Sequence, residues 1–355
     1  MSRSIVGAAV ALAAALSLAA GIAFAQSPAV NTKESAQATA EQKRQVEQPL
    51  NNAPLWREVR SGEPQVTTVR GRETNVLIQP QGQTWRAARV PIIFWGGILL
   101  AVAVGGLALF YLWRGTMSSP RKPGDRIIER FSPMDRYAHW FVAIVWVTLA
   151  ITGLVLSLGK SVLLPLIGYT LFSWLATLAK NLHNFIGPLL IVGVPWLFLR
   201  FIRDNGVSGD DVRWFTHITG YFKGHEYPSG RFNAGEKVVF WLVLVVASTT
   251  LIVTGLILLF PNFDQTRSTM QVTNVIHMLA AYLSIALALV HIYLGTLGME
   301  GAYRAMRDGY VDASWAEHHH QRWYQEVAAG KARQKFVAPG EVRTGEGVVG
   351  RTRTA

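Results

Sequence analysis

Long apolar stretches separated by basic, polar connections dominate the chain after residue 90. A stretch of about 20 apolar residues is long enough to cross the hydrocarbon core of a bilayer as a helix. The stretches of this length are 91–113, 137–158, 182–202, 238–260 and 272–299. A shorter stretch at 163–179 lies between Lys160 and Lys180, and predicts an interfacial or re-entrant helix rather than a span. We therefore predict an all-α integral membrane protein with a four-helix transmembrane bundle and one extra N-terminal transmembrane helix.

The N-terminal 90 residues contain no long apolar stretch after the Ala/Leu-rich run of residues 1–25. Residues 1–25 combine Arg3, an Ala/Leu-rich run and a small-residue site at Ala23 to Ala25, which predicts a secretory signal peptide; a retained anchor is the alternative. Residues 26–90 are polar and rich in Gln, Glu, Arg and Pro, with possible short strands near 66–70 and 75–78. We find no candidate chemistry in this segment.

Composition narrows the function classes. Half of the 355 residues are hydrophobic and only 16% are charged, which is low charge for a soluble protein of this size. The net charge of +12 does not indicate nucleic-acid binding, because Lys and Arg cluster between the apolar spans. The absence of cysteine excludes disulfides, thiolate-held iron–sulfur clusters and a covalently attached c-type haem within this chain.

The distribution of Lys and Arg predicts the orientation. Basic residues crowd two connections and the tail. They are Arg114, Arg121, Lys122, Arg126, Arg130 and Arg136; Arg203, Arg213, Lys223, Arg231 and Lys237; and Arg304, Arg307 and Arg322. The opposite loops offer only Lys160, Lys180 and Arg267. The positive-inside rule places the basic side in the cytoplasm of a bacterial inner membrane, with the N-terminal segment periplasmic and the tail cytoplasmic.

Four histidines fall into two pairs by depth in this orientation. His277 and His291 are fourteen residues apart in one span, so they face the same way about 21 Å apart along a helix. His183 and His277 lie toward the outer side and form the outer pair. His139 and His291 lie toward the cytoplasm and form the inner pair. Each pair is suited to clamp the iron of one haem between different helices.

A simpler interpretation of each histidine alone is a hydrogen-bonding residue near a helix end. Four at matched depths favour haem, because ionisable residues inside a membrane are costly and usually functional. Bis-histidine ligation leaves no open iron position and predicts electron transfer rather than oxygen binding. A proton- or metal-linked transporter or sensor is the alternative of a different class.

Several segments resemble a known family, the membrane-bound formate dehydrogenase gamma subunit (cytochrome b556). They are FSPMDRYAHW at 131–140, NLHNFIG at 181–187, RFNAGEK at 231–237, VHIYL at 290–294 and HHQRWY at 319–324. The resemblance covers about 131–326. It includes the segment that carries His183 and the helix that carries His291. The general four-helix, two-haem pattern is shared with nickel–iron hydrogenase and thiosulfate or polysulfide reductase cytochromes, which stay as alternatives.

The resemblance implies sites and cofactors. The family's periplasmic haem b is held at the positions of His183 and His277, and its cytoplasmic haem b at those of His139 and His291. Quinone is reduced beside the cytoplasmic haem, at a site that the resemblance assigns to Asn233, Gly235 and Glu236. An amide can hydrogen-bond a quinone carbonyl, and glycine permits close approach of the backbone. The alternative for Glu236 is a charge that favours the dipole at the start of the fourth span.

The resemblance also implies partners. A periplasmic molybdenum or tungsten catalytic alpha subunit would oxidise formate, and an iron–sulfur beta subunit would pass electrons to this chain, which has no catalytic residue of its own. The predicted organisation is 1–25 signal peptide, 26–90 periplasmic segment, 91–113 extra helix, 131–299 dihaem core and 300–355 cytoplasmic tail. The signal, the polar segment and the extra span depart from compact family members.

The other five histidines fall on the predicted cytoplasmic side. The run from His318 to His320 has the composition of a metal-binding tract, but nothing nearby completes a site, which favours a solvated tail. His217 and His225 fall in a basic loop and are best interpreted as surface residues.

Overall fold

A computed structural model describes residues 43, 47, 53–61, 80–118, 126–217, 220, 227–263, 265–337, 343–344 and 347–348 of the protein. The predicted signal peptide and the possible strands at 66–70 and 75–78 lie outside the described residues, as does His225.

Helices make up most of the described chain. They are α1 (Ala53–Ser61), α2 (Pro80–Arg114), α3 (Pro133–Val162), α4 (Leu164–Ile186), α5 (Leu190–Phe201), α6 (Gly209–Thr216), α7 (Ala234–Val238), α8 (Ser248–Leu259), α9 (Arg267–Tyr293), α10 (Ala302–Asp308), α11 (Ala313–His319) and α12 (Gln321–Ala328). A π-helical segment, Val239–Ala247, joins α7 to α8, and another, Leu294–Gly298, extends α9.

Five continuous helical segments of the described chain are long and apolar enough to cross a membrane. They are Thr84–Arg114, Pro133–Val162, Leu164–Asp204, Ala234–Leu259 and Arg267–Gly298. The predicted all-α membrane architecture, with an extra helix ahead of four others, is confirmed.

The stretch at 163–179 is not a separate interfacial or re-entrant helix. It belongs to the same helical segment as the span predicted at 182–202, and the two form one 41-residue unit, Leu164–Asp204. Gly168 breaks the helical geometry near the start, with φ at 75°, where a side chain would be strained. Pro188 is accommodated in a short 3₁₀ turn, Gly187–Leu189. Lys180 lies exposed on the helix and does not end it.

Capping boxes define where three of these helices begin. Ser132 caps α3 with Asp135, and Ser208 caps α6 with Asp211. Asn233 caps α7, where its side chain accepts from the Glu236 backbone N–H and Glu236 accepts from the Asn233 backbone N–H. Because each box satisfies otherwise unpaired N–H groups, the chain starts its helices at fixed residues.

Residues 301–337 are folded and contribute two strands to a small sheet that the sequence did not predict. Strand β2 (Tyr310–Asp312) pairs antiparallel with β1 (Ile127–Glu129), which pairs on its other edge with β3 (Phe336–Val337). Ile128 lies opposite both Val311 and Phe336 and is completely buried. A separate short hairpin consists of β4 (Arg343–Thr344) and β5 (Gly347–Val348).

The chain divides into two compact units. One comprises the described residues within 1–96 together with Thr250–Ala280, and it carries His277. The other comprises the described residues within 97–249 and 281–355, and it carries His139, His183 and His291.

Candidate functional site

His183 of the outer pair packs against α3. Its Nδ1 lies 2.9 Å from the Thr152 hydroxyl oxygen. The next residue of α3, Gly153, faces the same ring, and a Cβ built there would lie 3.3 Å from the His183 Cε1. The ring therefore rests against a helix surface made of one hydroxyl and one missing side chain.

His277, the other member of the outer pair, has the same kind of neighbours in its own unit. Its Nδ1 lies 2.8 Å from the Thr254 hydroxyl oxygen on α8. Gly255 follows Thr254, and a Cβ built there would lie 3.5 Å from the His277 Cε1. A Thr-Gly dipeptide thus supports a histidine ring at both positions.

Both threonine hydroxyls also bond their own helices. Thr152 Oγ1 donates to the Thr148 carbonyl at 2.8 Å, and Thr254 Oγ1 donates to the Thr250 carbonyl at 2.6 Å. Threonine in a membrane helix commonly makes this bond to the carbonyl four residues earlier. The bond fixes the hydroxyl in front of the imidazole.

The inner pair lies together in the second unit. The rings of His139 on α3 and His291 on α9 have centroids 6.2 Å apart and planes inclined by 58°. Among the described residues, His139 Nδ1 is buried with no hydrogen-bond partner. Two imidazoles on different helices therefore face a common position.

The two histidine levels of the second unit are well separated along α3. Thr152, which contacts His183, lies thirteen residues after His139 on the same helix. At about 1.5 Å per residue, this places the two levels about 20 Å apart. Two separate groups, rather than one metal ion, fit this spacing.

These residues suit haem ligation in their chemistry and their surroundings. Imidazole is a common axial ligand of haem iron, and two glycines keep the outer-pair rings uncrowded. The orphaned His139 Nδ1 shows that one ring nitrogen of this residue is not used for structural bonding within the described chain. No cluster of three or more His, Asp or Glu side chains suited to a metal ion occurs in that part.

The predicted quinone residues form the capped start of α7. Asn233 Oδ1 accepts from the Glu236 N–H at 2.9 Å, and Glu236 Oε2 accepts from the Asn233 N–H at 2.9 Å. A Cβ at Gly235 would lie 3.6 Å from the Trp214 ring. The three residues therefore lie together at the start of α7, where Asn233 and Glu236 cap the helix. A carboxylate at the start of a helix is also what the dipole alternative for Glu236 requires.

A buried ionic cluster stands beside this cap. Arg130 Nη2 donates to Glu236 Oε1 at 2.8 Å, and Arg130 is only 3% exposed. Arg231 donates to Asp135 at 3.1 Å and to the Arg130 carbonyl at 2.6 Å. Burial lowers the pKa of the Arg130 guanidinium, and the Glu236 carboxylate opposes that effect. The cluster fixes the connection before α3 onto the start of α7.

The predicted solvated histidine tract is wrong for two of its three residues. His319 and His320 are buried, at 3% and 1% exposure. His320 Nδ1 lies 2.9 Å from the Gly230 carbonyl oxygen and its ring packs on Trp315. Burial, with the nearby Arg130 charge, lowers the pKa of His320 to about 3. The polar sequence concealed a folded segment whose tryptophans supply the apolar packing.

His217 is exposed at the end of α6, as expected for a surface residue. The residues missed from the sequence are the threonines at 152 and 254 and the buried arginine at 130. The repeated Thr-Gly pair at 152–153 and 254–255, each in the helix before a histidine helix, was a signal that could have revealed the threonines.

The class of protein follows from a family comparison that agrees with this architecture. Residues 130–309 match the prokaryotic cytochrome b561 family, and the chain belongs to that family. It is therefore a multi-pass cytochrome b membrane protein, and family membership implies that it binds haem b.

The similar curated proteins have more specific names. The chain is 30% identical over 223 residues to the nitrate-inducible formate dehydrogenase cytochrome b556(Fdn) subunit of Escherichia coli K12, covering 59% of this chain and 96% of that protein. It is 32% identical over 209 residues to the cytochrome b556(fdo) subunit of the same strain's formate dehydrogenase, covering 56% and 93%. The Haemophilus influenzae formate dehydrogenase cytochrome b556 subunit is 28% identical over 223 residues, covering 60% and 88%. The resemblance to formate dehydrogenase gamma subunits is confirmed.

Proposed function

We propose that this chain is the cytochrome b subunit of a formate:quinone oxidoreductase. Its partners would be a molybdenum or tungsten catalytic subunit that oxidises formate and an iron–sulfur subunit that delivers the electrons. The support is its similarity to three formate dehydrogenase cytochrome b556 subunits, two of them over more than nine tenths of their length. Formate chemistry itself would take place on the partner subunit.

We assign two haem b groups to the two histidine pairs. His183 and His277 would hold one, and His139 and His291 the other. Haem held by these histidines would supply reversible one-electron transfer. The observation that carries the proposal is the 6.2 Å approach of the His139 and His291 rings, about 20 Å along α3 from the His183 level.

The proposed orientation places the inner pair toward the cytoplasm of a bacterial inner membrane. Arg130, Arg136 and Arg200 lie near the end of the spans that carries His139, in agreement with the positive-inside rule. Residues 1–25 would be the signal peptide, 26–90 a periplasmic segment, and 300–355 a cytoplasmic tail. Electrons moving inward while protons are consumed inside would contribute to the membrane potential.

Asn233 is the residue best placed to bind quinone within the proposed site. Its Oδ1 is held by the Glu236 N–H, so its amide NH₂ group is the part that can donate to a quinone carbonyl. Glu236 holds the cap through the Asn233 N–H and is itself fixed by Arg130. Gly235 has no side chain that would cover the first turn of α7. We propose that Glu236 and Gly235 position the turn, and that Asn233 contacts the quinone.

Haem content and formate-to-quinone turnover test the function. The chain would be purified with its partner subunits, and oxidised and dithionite-reduced spectra recorded with a pyridine haemochrome assay. We expect about two b haems per chain. A colourless complex after expression with adequate haem would contradict the electron-transfer function and favour a transporter or sensor. Haem with hydrogen or thiosulfate activity, but no formate activity, would favour the other cytochromes of this pattern.

The quinone site has its own test. Asn233→Asp keeps the oxygen that caps α7 but removes the amide NH₂, so haem content should stay unchanged while the KM for quinone rises about tenfold or more. Ser208→Ala, which weakens the cap of α6, is the control for a general capping defect. An unchanged KM in Asn233→Asp would remove Asn233 from the site.

A further inference from the structure

The two outer-pair histidines have the same polar neighbour, a threonine hydroxyl at hydrogen-bond distance from Nδ1. The distances are 2.9 Å for Thr152 with His183 and 2.8 Å for Thr254 with His277. The two contacts are made by different helices in different units, so they are independent observations.

The single proton of each threonine hydroxyl indicates which atom donates in these hydrogen bonds. A threonine hydroxyl has one proton to donate and can accept twice. Thr152 donates its proton to the Thr148 carbonyl, and Thr254 donates its proton to the Thr250 carbonyl. With its proton directed to that carbonyl, each hydroxyl accepts from the imidazole. In this arrangement the imidazole proton is on Nδ1, and the lone pair of the neutral ring is on Nε2.

We propose that Thr152 and Thr254 are positioning residues that hold His183 and His277 in the Nδ1-protonated tautomer, so that each ring would present Nε2 to the haem that the proposed function assigns to these histidines. This inference rests on the proposed function. A hydrogen bond from the distal ring nitrogen orients a ligating histidine and raises its basicity. A more basic ligand favours ferric over ferrous iron, which lowers the reduction potential of that haem.

The inner pair differs on this point. Among the described residues, His139 Nδ1 is buried without a hydrogen-bond partner, so His139 lacks the support that both outer histidines have. The haem at the outer pair would thus have the lower potential and that at the inner pair the higher one. Electrons would pass spontaneously from the outer to the inner level, which is the direction in the proposed function.

The test replaces each threonine by valine, which keeps the shape and removes the hydroxyl, in the complete complex. Haem per chain, the midpoint potential of each haem and the low-spin electron paramagnetic resonance signals are measured. Thr152→Val and Thr254→Val should each raise the potential of the same haem, or weaken its retention by about 10- to 100-fold. The double variant should still affect only that haem.

Two controls separate this role from a packing defect. Thr152→Ser keeps the hydroxyl and should restore the wild-type potential and spectrum. Thr148→Val removes a hydroxyl one turn earlier on α3 that bonds the Ile144 carbonyl, and it should change neither haem.

Three results would overturn the proposal. In a complex with two haems, valine variants with unchanged potentials and spectra would show that the hydroxyls do not act on the ligands. Changes in two different haems would contradict the assignment of His183 and His277 to one haem. A serine variant that fails to restore the wild-type signal would assign the effect to packing. A wild-type complex without haem would instead refute the proposed function on which the inference rests.

Discussion

The outer and inner histidine pairs use the same side chain in different surroundings. Each outer histidine rests on a Thr-Gly pair of a neighbouring helix. At the inner level, His139 Nδ1 has no partner in the described chain, and an ion pair between the buried Arg130 and the partly exposed Glu236 lies at the same end of the spans. Under the proposed assignment, one type of ligand would serve two electron carriers, and their properties would differ because the residues that contact the histidines differ.

Removing a ligand should give the largest effect. His139→Ala or His291→Ala should each abolish the same haem, because the two rings face a common position, and leave the other spectrally intact. The loss would be measured as a fall from about two haems to about one per chain in the pyridine haemochrome assay. The exposed His217→Ala variant is the control. Retention of both haems in either ligand variant would contradict the assignment of the inner pair.

Loss of the Arg130–Glu236 ion pair should have the next largest effect, measured as a decrease in the free energy of unfolding. Arg130→Ala removes a buried donor from the partly exposed Glu236 carboxylate and from the Arg231 carbonyl, and it should cost up to about 3 kcal/mol. Arg307→Ala removes an exposed pair with Asp308 and should cost less than about 1 kcal/mol. Denaturant unfolding of the complex in detergent compares the two. Equal effects would indicate that the Arg130 cluster is not a stabilising feature.

Burial of His320 should make the stability of the folded segment that contains α11 and α12 sensitive to acid. Its folded pKa of about 3 is far below the ordinary value of 6.5, so the unfolded chain binds a proton that the folded chain does not. Stability should therefore be fully present above pH 6.5 and fall by up to about 1.4 kcal/mol per pH unit as the pH drops toward 3.

Comparison of His320→Asn with wild type isolates this contribution. The variant removes the titrating group, so its stability should vary less between pH 6.5 and pH 4, whatever its absolute stability. An unchanged pH dependence would show that His320 does not contribute to the acid sensitivity.

The glycines beside the outer pair should give the smallest effects. A Cβ at position 153 would lie 3.3 Å from the His183 ring, closer than an ordinary contact, whereas one at 255 would lie 3.5 Å from the His277 ring. Gly153→Ala should therefore displace its histidine slightly and cost about 1 kcal/mol, while Gly255→Ala should be better tolerated. Thermal stability and the resonance signal of the affected haem would be compared; a larger effect at Gly255 would contradict the geometry.

Most of the membrane architecture could be predicted from sequence, because a span must be long, apolar and bounded by charge. The boundary between 163–179 and 182–202 could not. Lys180 looked like the end of an apolar stretch, but it points outward from a continuous helix, and the true break is the backbone of Gly168. One exposed lysine is compatible with a helix, so charge alone does not locate helix ends.

The candidate histidines could be found from depth and spacing, but their neighbours could not. Contacts such as Thr152 with His183 join residues 31 positions apart and depend on how two helices rotate against each other. The buried state of His319 and His320 depends on packing with Trp315, in a segment whose polar composition favoured solvent exposure. The two roles proposed for Asn233 and Glu236 also required the cap geometry.

The haem content of double histidine variants directly tests which histidines share a haem. The proposed function assigns one haem to each pair. His183→Ala combined with His277→Ala should therefore retain about one haem, no fewer than either single variant. His139→Ala combined with His277→Ala should retain none, because each change removes a different haem. Loss of both haems in the first combination, from a complex that remains assembled, would contradict the pairing.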